Sequence, residues 1–155
     1  MKMDSLFENN LSLEQLMPLI RECLAAGKTV KFSPKGTSML PMLRQGIDCV
    51  VLSAPKGKLK KYDLPLYQRD NGQYVLHRVV RVEECYTCVG DNQFELERNL
   101  RHDQVIAVMT AFTRNKKHYC AENVWYQLYC RVWHYSRPVR RFWRRGIGWL
   151  RRQIG

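Results

Sequence analysis

A chain of 155 residues with 45% hydrophobic and 26% charged residues holds enough apolar material for one core of ordinary size and is too short for two full-size domains. No run of about twenty apolar residues occurs, so an unaided membrane-spanning helix is not expected, and the first ten residues lack the apolar stretch of a secretory signal. The net charge of +12 favours an anionic partner and is concentrated at one end, where residues 121–155 hold eight Arg against the single acid Glu122.

Leu13, Leu16, Met17, Ile20 and Leu24 recur at helical spacing between residues 11 and 26. Ser12 is placed to cap the start and Gly27 to stop the end, so an amphipathic helix is expected, with Pro18 a candidate kink. Alternation over 29–32 predicts a strand leading into Lys35-Gly36-Thr37-Ser38-Met39-Leu40-Pro41-Met42-Leu43. Ser38, between a Gly and a Pro, sits on backbone with few conformations, which a nucleophile needs if its Oγ is to meet a carbonyl at a fixed angle. Further strands are predicted over 48–53, 64–69, 74–82, 85–89 and 104–113, with Pro65 suiting an edge or bulge and Asp70-Asn71-Gly72 a hairpin turn. Residues 54–61 read as a basic loop and 93–103 as polar and irregular. Six or so short strands with a helix at each end predict a mainly β domain of coiled antiparallel sheets over 29–113, preceded by a helix in 1–28 and followed by a basic helical tail in 114–155.

Cys23, Cys49, Cys85, Cys88, Cys120 and Cys130 are scattered over these elements and read as reduced thiols in a cytoplasmic protein. Cys85 and Cys88 have no second pair to complete a zinc site, so neither a metal nor another cofactor is expected.

Four short boxes carry the chemistry: Gly36-Thr37-Ser38-Met39-Leu40-Pro41-Met42-Leu43, Gly46-Ile47-Asp48-Cys49-Val50-Val51, Tyr74-Val75-Leu76-His77-Arg78-Val79-Val80 and Val89-Gly90-Asp91-Asn92. Their order and spacing resemble those of the signal peptidase I and LexA-like serine peptidases, over about residues 30–112. His77, where the bacterial type carries a Lys, is similar to the endoplasmic-reticulum and sporulation type. The resemblance implies a Ser/His peptidase with the coiled β-sheet fold of that family. It places the family's second acidic position at Glu97.

The chemistry of the residues agrees. A Ser hydroxyl needs a base to take its proton, and a neutral imidazole, whose ordinary pKa is about 6.5, is suited to that task. Ser38 is then the nucleophile, His77 the base and Asp91 the carboxylate that orients the imidazole, with Glu97 a further acidic candidate. The oxyanion falls to the Ser38 backbone N–H, helped by Thr37, because Gly36 stands where some relatives carry a hydroxyl. Loss of one such donor typically costs roughly 3 to 4 kcal/mol of transition-state stabilisation, so a slow enzyme is expected. Gly36, Met39 and Pro41 are the expected substrate contacts, and an extended peptide is expected to pair with the strand edge beside Ser38.

In the tail, Trp125, Leu128, Tyr129 and Val132 share a helical face. Beyond Pro138 the residues Val139, Phe142, Trp143, Trp149, Leu150 and Ile154 alternate with Arg pairs. Arg beside Trp and Phe is the composition of an interfacial helix on an anionic membrane. Docking on the core, a partner protein and nucleic acid are the alternatives. A chain ending at Phe112 is expected to fold without the tail. The sequence thus reads as a serine endopeptidase for leader or signal-type processing, peripheral at the cytoplasmic membrane surface. Its alternative is a catalytically weak or inactive LexA-like regulatory module whose tail binds membrane or nucleic acid.

Overall fold

Among residues 13–144, the part of the chain that the computed structural model describes, nine strands form two antiparallel sheets that do not close into a barrel. Helix α1, Leu13–Ala25, turns Leu16, Met17, Ile20 and Leu24 into the core and runs through Pro18, which stays on the solvent side. Residues three and four apart share a helical face, which is why this spacing was decisive. Gly27 ends the helix at φ +71°, and Lys28 N–H closes onto Cys23 O at 3.0 Å. Ser12, the expected cap, lies outside the described residues.

The first sheet contains β1 (Val30–Phe32), β2 (Cys49–Ser53), β3 (Pro65–Gln68), β4 (Tyr74–Leu76), β8 (Val105–Arg114) and β9 (Lys117–Cys120). Its order is β1-β2-β8-β3-β4, with β9 also paired to β8. Ten residues long, β8 pairs with β3 near Val105–Val108, with β2 over Val108–Thr113 and with β9 over Ala111–Arg114. The second sheet is β5 (Arg78–Val82), β6 (Tyr86–Val89) and β7 (Glu97–Leu100), in that order. A large apolar cluster joins α1 to the first sheet, and a smaller one around Tyr67, Val79, Tyr86 and Cys88 lies between the sheets.

Three local expectations change. The strand expected over 74–82 is two strands: β4 belongs to the first sheet, β5 to the second, and His77 is the residue where the chain passes between them. Residues 93–103 are not irregular throughout, since β7 forms there by pairing with β6. Only Leu100 of β7 is buried, so its hydrophobic pattern was too weak to signal a strand. The hairpin that adds β9 turns at Asn115 and Lys116, both at positive φ, a two-residue geometry that matches strand twist.

Helix α2, Val124–Tyr135, is capped by Asn123, whose Oδ1 accepts the Trp125 and Tyr126 amides at 2.9 and 3.2 Å. Its expected apolar face is divided. Tyr126 and Cys130 are buried in the large cluster with Tyr129 packed beside them, whereas Trp125, Leu128 and Val132 remain exposed. A further helical segment follows over 137–144. The tail therefore contributes to the core, and a chain ending at Phe112 would lack β9, Tyr126 and Cys130. Arg145, Trp149, Leu150, Arg151, Arg152 and Ile154 lie outside the described residues. No described helix is long and apolar enough to cross a membrane.

Candidate active site

Ser38 stands in the long connection between β1 and β2, and that connection is folded on itself by a buried carboxylate. Asp48 is fully buried and accepts the Arg44 amide at 2.9 Å and two guanidinium N–H bonds at 2.8 Å each. Hydrogen bonds from Arg44 outweigh burial and hold the Asp48 carboxyl below the usual carboxylate range. Gly36 takes φ +94° and donates its N–H to Gln45 Oε1 at 2.8 Å, a conformation that favours glycine. Met39, Met42 and Leu43 are buried beneath the loop, which leaves Ser38 half-buried at its surface.

From the other side the turn after β6 grips Ser38. The Asn92 amide donates to Ser38 O at 2.8 Å and its side chain to Thr37 O at 3.1 Å. A Cβ on Gly90 would lie 2.7 Å from Ser38 O and 3.1 Å from Ser38 Cβ, so no larger residue fits there without moving Ser38. The Ser38 amide has no protein acceptor among the described residues, which leaves it available to a developing oxyanion.

His77, 3% exposed, places Nδ1 2.8 Å from Glu97 Oε1. The same carboxylate accepts Tyr67 OH at 2.8 Å and Arg69 Nε at 2.9 Å on Oε2, and Arg69 Nη2 on Oε1. Burial alone would raise the Glu97 carboxyl, but hydrogen bonds from His77, Arg69 and Tyr67 hold it well below the usual carboxylate range. Burial, and then neighbouring negative charge, pushes the Tyr67 hydroxyl far up, so it remains a donor. With Nδ1–H donating to a carboxylate, the neutral ring keeps its lone pair on Nε2. Ser38 and His77 are both in the wall of one cavity of about 240 Å³, together with Gly36, Met39, Leu43, Tyr74 and Leu76.

Other expected site residues are placed differently. Asp91 does not orient His77: its carboxylate takes Arg78 Nε and Nη2 at 2.8 Å each, and Tyr129 OH at 3.1 Å. His77 lies where the chain leaves one sheet for the other and Arg78 begins β5, so the two neighbours reach different acids. Pro41 is exposed and outside the cavity wall, because the loop buries Met39, Met42 and Leu43 and turns the proline ring outward. Thr37 is exposed too, its carbonyl occupied by the Leu40 amide and Asn92. Tyr67 and Arg69 were not expected at the site. Their period-two spacing on and just after β3, which puts both on one face, was the available signal.

Among the described residues no disulfide forms, and no group of three or more potential metal ligands comes together. Burial, and then Glu97, pushes the Cys88 thiol up to about 12. No protein-family model matches this chain, and neither a curated protein nor a solved structure matches it.

Proposed function

We propose that this chain is a serine endopeptidase of the signal peptidase and LexA-like type, with Ser38, His77 and Glu97 as its catalytic group. One observation carries the reading: the His77 imidazole is held by a carboxylate at Nδ1 and shares a cavity wall with Ser38. Ser38 Oγ attacks the scissile carbonyl and its proton passes to His77 Nε2, while Glu97 stabilises the imidazolium. The oxyanion meets the Ser38 N–H. His77 then protonates the leaving amine, and a water activated by the same imidazole hydrolyses the Ser38 ester.

Substrate recognition follows from position. Among the described residues β4 ends the order of the first sheet and pairs on one side only, and its three residues are in the cavity wall beside His77. An extended peptide added to that edge presents its carbonyl near Ser38. A cavity of about 240 Å³ lies below the range of whole-ligand pockets and accommodates a single small apolar side chain against Met39, Leu43 and Leu76.

The test is digestion of an unstructured peptide library by the purified full chain, read by mass spectrometry. Ser38→Ala and His77→Ala are each expected to abolish cleavage, and the double variant to be hardly worse than either. Unchanged cleavage by Ser38→Ala would reject the peptidase reading, and no cleavage by the wild type would favour a binding module.

The exposed apolar stripe supports a peripheral position on an anionic membrane. Trp125, Leu128, Val132, Tyr135, Val139, Phe142 and Trp143 all stay exposed, with Arg131 and Arg141 alongside. Full-length protein is expected to float with phosphatidylglycerol vesicles, and Trp125→Ser/Trp143→Ser to remain behind. Equal flotation of the two would remove the membrane from the reading.

A further inference from the structure

An open groove of about 1080 Å³ lies between the second sheet and the C-terminal helices. Its walls carry five cations, Lys61, Arg81, Arg98, Arg137 and Arg141, against one carboxylate, Glu83. Glu83 stands 3.7 Å from Arg81 in an exposed pair. Among the described residues, no carboxylate comes within ion-pair distance of the other four cations. Two nitrogens of groove residues, His134 Nδ1 and Arg137 Nε, are buried without a hydrogen-bond partner among the described residues. Burial, and then the Arg140 cation, pushes the Arg137 guanidinium down, while burial, Lys61 and Arg137 do the same to His134. Five like charges gathered with one exposed counter-ion are unfavourable until a ligand supplies negative charge.

The ligand is identified by complementarity and by continuity. Residues 145–155 add three Arg and no acid, so that stretch does not supply the missing charge. Phe94 and Leu96, in the groove wall, also line an adjoining cavity of about 610 Å³. Arg69 and Gln93 of that cavity are in turn part of the catalytic wall with Ser38 and His77. A track of shared residues therefore runs from the nucleophile to the cationic groove, and a compact anion would use only one end of it.

We propose that the groove is an exosite for an acidic, partly apolar segment of the peptide substrate, held by Arg98, Arg137 and Arg141 while the scissile bond lies at Ser38. The assignment rests on the peptidase reading for its substrate, and on the groove alone for its charge preference.

The two are separated by measuring binding and cleavage apart. A fluorescein-labelled octapeptide alternating glutamate and leucine is titrated into full-length Ser38→Ala protein, with its glutamine analogue as control. The acidic peptide is expected to bind about tenfold more tightly, an advantage that falls with salt. Arg98→Glu and Arg141→Glu, both at exposed positions where the fold should persist, are expected to remove it. Equal affinity for the two peptides, or full affinity in both variants, overturns the exosite. Loss of phosphatidylglycerol-vesicle binding in those variants, with acidic-peptide binding intact, assigns the groove to lipid and overturns it too. In the wild type, cleaved library members are expected to be enriched in acidic residues and the enrichment to vanish in Arg141→Glu. Arginine-dependent binding without any cleavage rejects the peptidase reading and the substrate assignment, and leaves an anionic-peptide site.

Discussion

His77 and Arg78 are neighbours in the chain, and each is joined to a carboxylate at 2.8 Å, yet the two pairs have different surroundings. Arg78 and Asp91 are 1% and 0% exposed, and the guanidinium is enclosed by Tyr62 O, Tyr126 OH, Cys130 Sγ and Met42 Sδ. Burial opposes the Arg78 charge, and the Asp91 carboxylate more than restores it. Glu97 is 24% exposed at the rim of the site, and its imidazole partner borders an open cavity. A pair sealed on all sides holds structure together. A pair with one ring nitrogen left over can move a proton. The two remain coupled, because Asp91 lies between Gly90 and Asn92, the residues that grip Ser38.

Replacing the open pair's acid should have the largest effect on chemistry. Glu97→Gln keeps the shape but removes the charge, and kcat/KM is expected to fall by about 10³ to 10⁴, with Tm lowered at neutral pH because the carboxylate's bonds to Arg69 and His77 are lost. An undiminished rate would transfer the orienting role elsewhere. The pH dependence of stability carries the same signature. The Glu97 carboxyl is depressed in the fold, so its contribution is present above the unfolded value of about 4.3 and is lost as pH falls through the folded one. Acid unfolding of Glu97→Gln should therefore lack that component of the pH dependence.

Asp91→Asn tests the sealed pair, and here stability should respond first. Leaving a buried guanidinium without its counter-ion costs about 3 to 5 kcal/mol, read as a lowered denaturant midpoint. Activity per folded molecule should fall less than in Glu97→Gln. A loss of activity with stability intact would reverse the two roles. Gly90→Ala probes the contact between the regions. Its Cβ would meet Ser38 O at 2.7 Å, and a displacement of the nucleophile approaching 1 Å is expected to lower kcat by about 10² with KM nearly unchanged.

Much of this arrangement was legible beforehand. The apolar periodicity of Leu16, Met17, Ile20 and Leu24 and the hairpin at Asp70-Asn71-Gly72 followed from spacing and turn chemistry, and Pro65 marked not an edge but a strand with a register shift at Leu66/Tyr67, since β3 lies between β8 and β4. Ser38 and His77 were chosen as partners and do share a cavity. The choice of acid was not legible, because the chain changes sheets at His77 and that switch cannot be read from a stretch whose β-propensity continues without interruption. Tyr67 and Arg69 were missed for a related reason: their partner Glu97 lies on a strand that has one buried residue. The tail was read by composition, which does not distinguish an Arg facing lipid from Arg140, stacked 3.7 Å over Trp133 and donating to Asp91 O.

The enclosure of Arg78 also bears on when the protein becomes competent during synthesis. Its guanidinium takes Met42 from the loop that bears Ser38, Asp91 from the turn after β6, and Tyr126 and Cys130 from helix α2, made after both. A ribosome delivers these partners in that order over several seconds. Until α2 arrives, an early nascent chain carries a cation in a half-built interior, and the loop bearing Ser38 lacks the finished brace behind Met42. Helix α2 thus acts as a closing stone, so that a chain released before it is made holds Ser38, His77 and Glu97 without a settled frame to hold them.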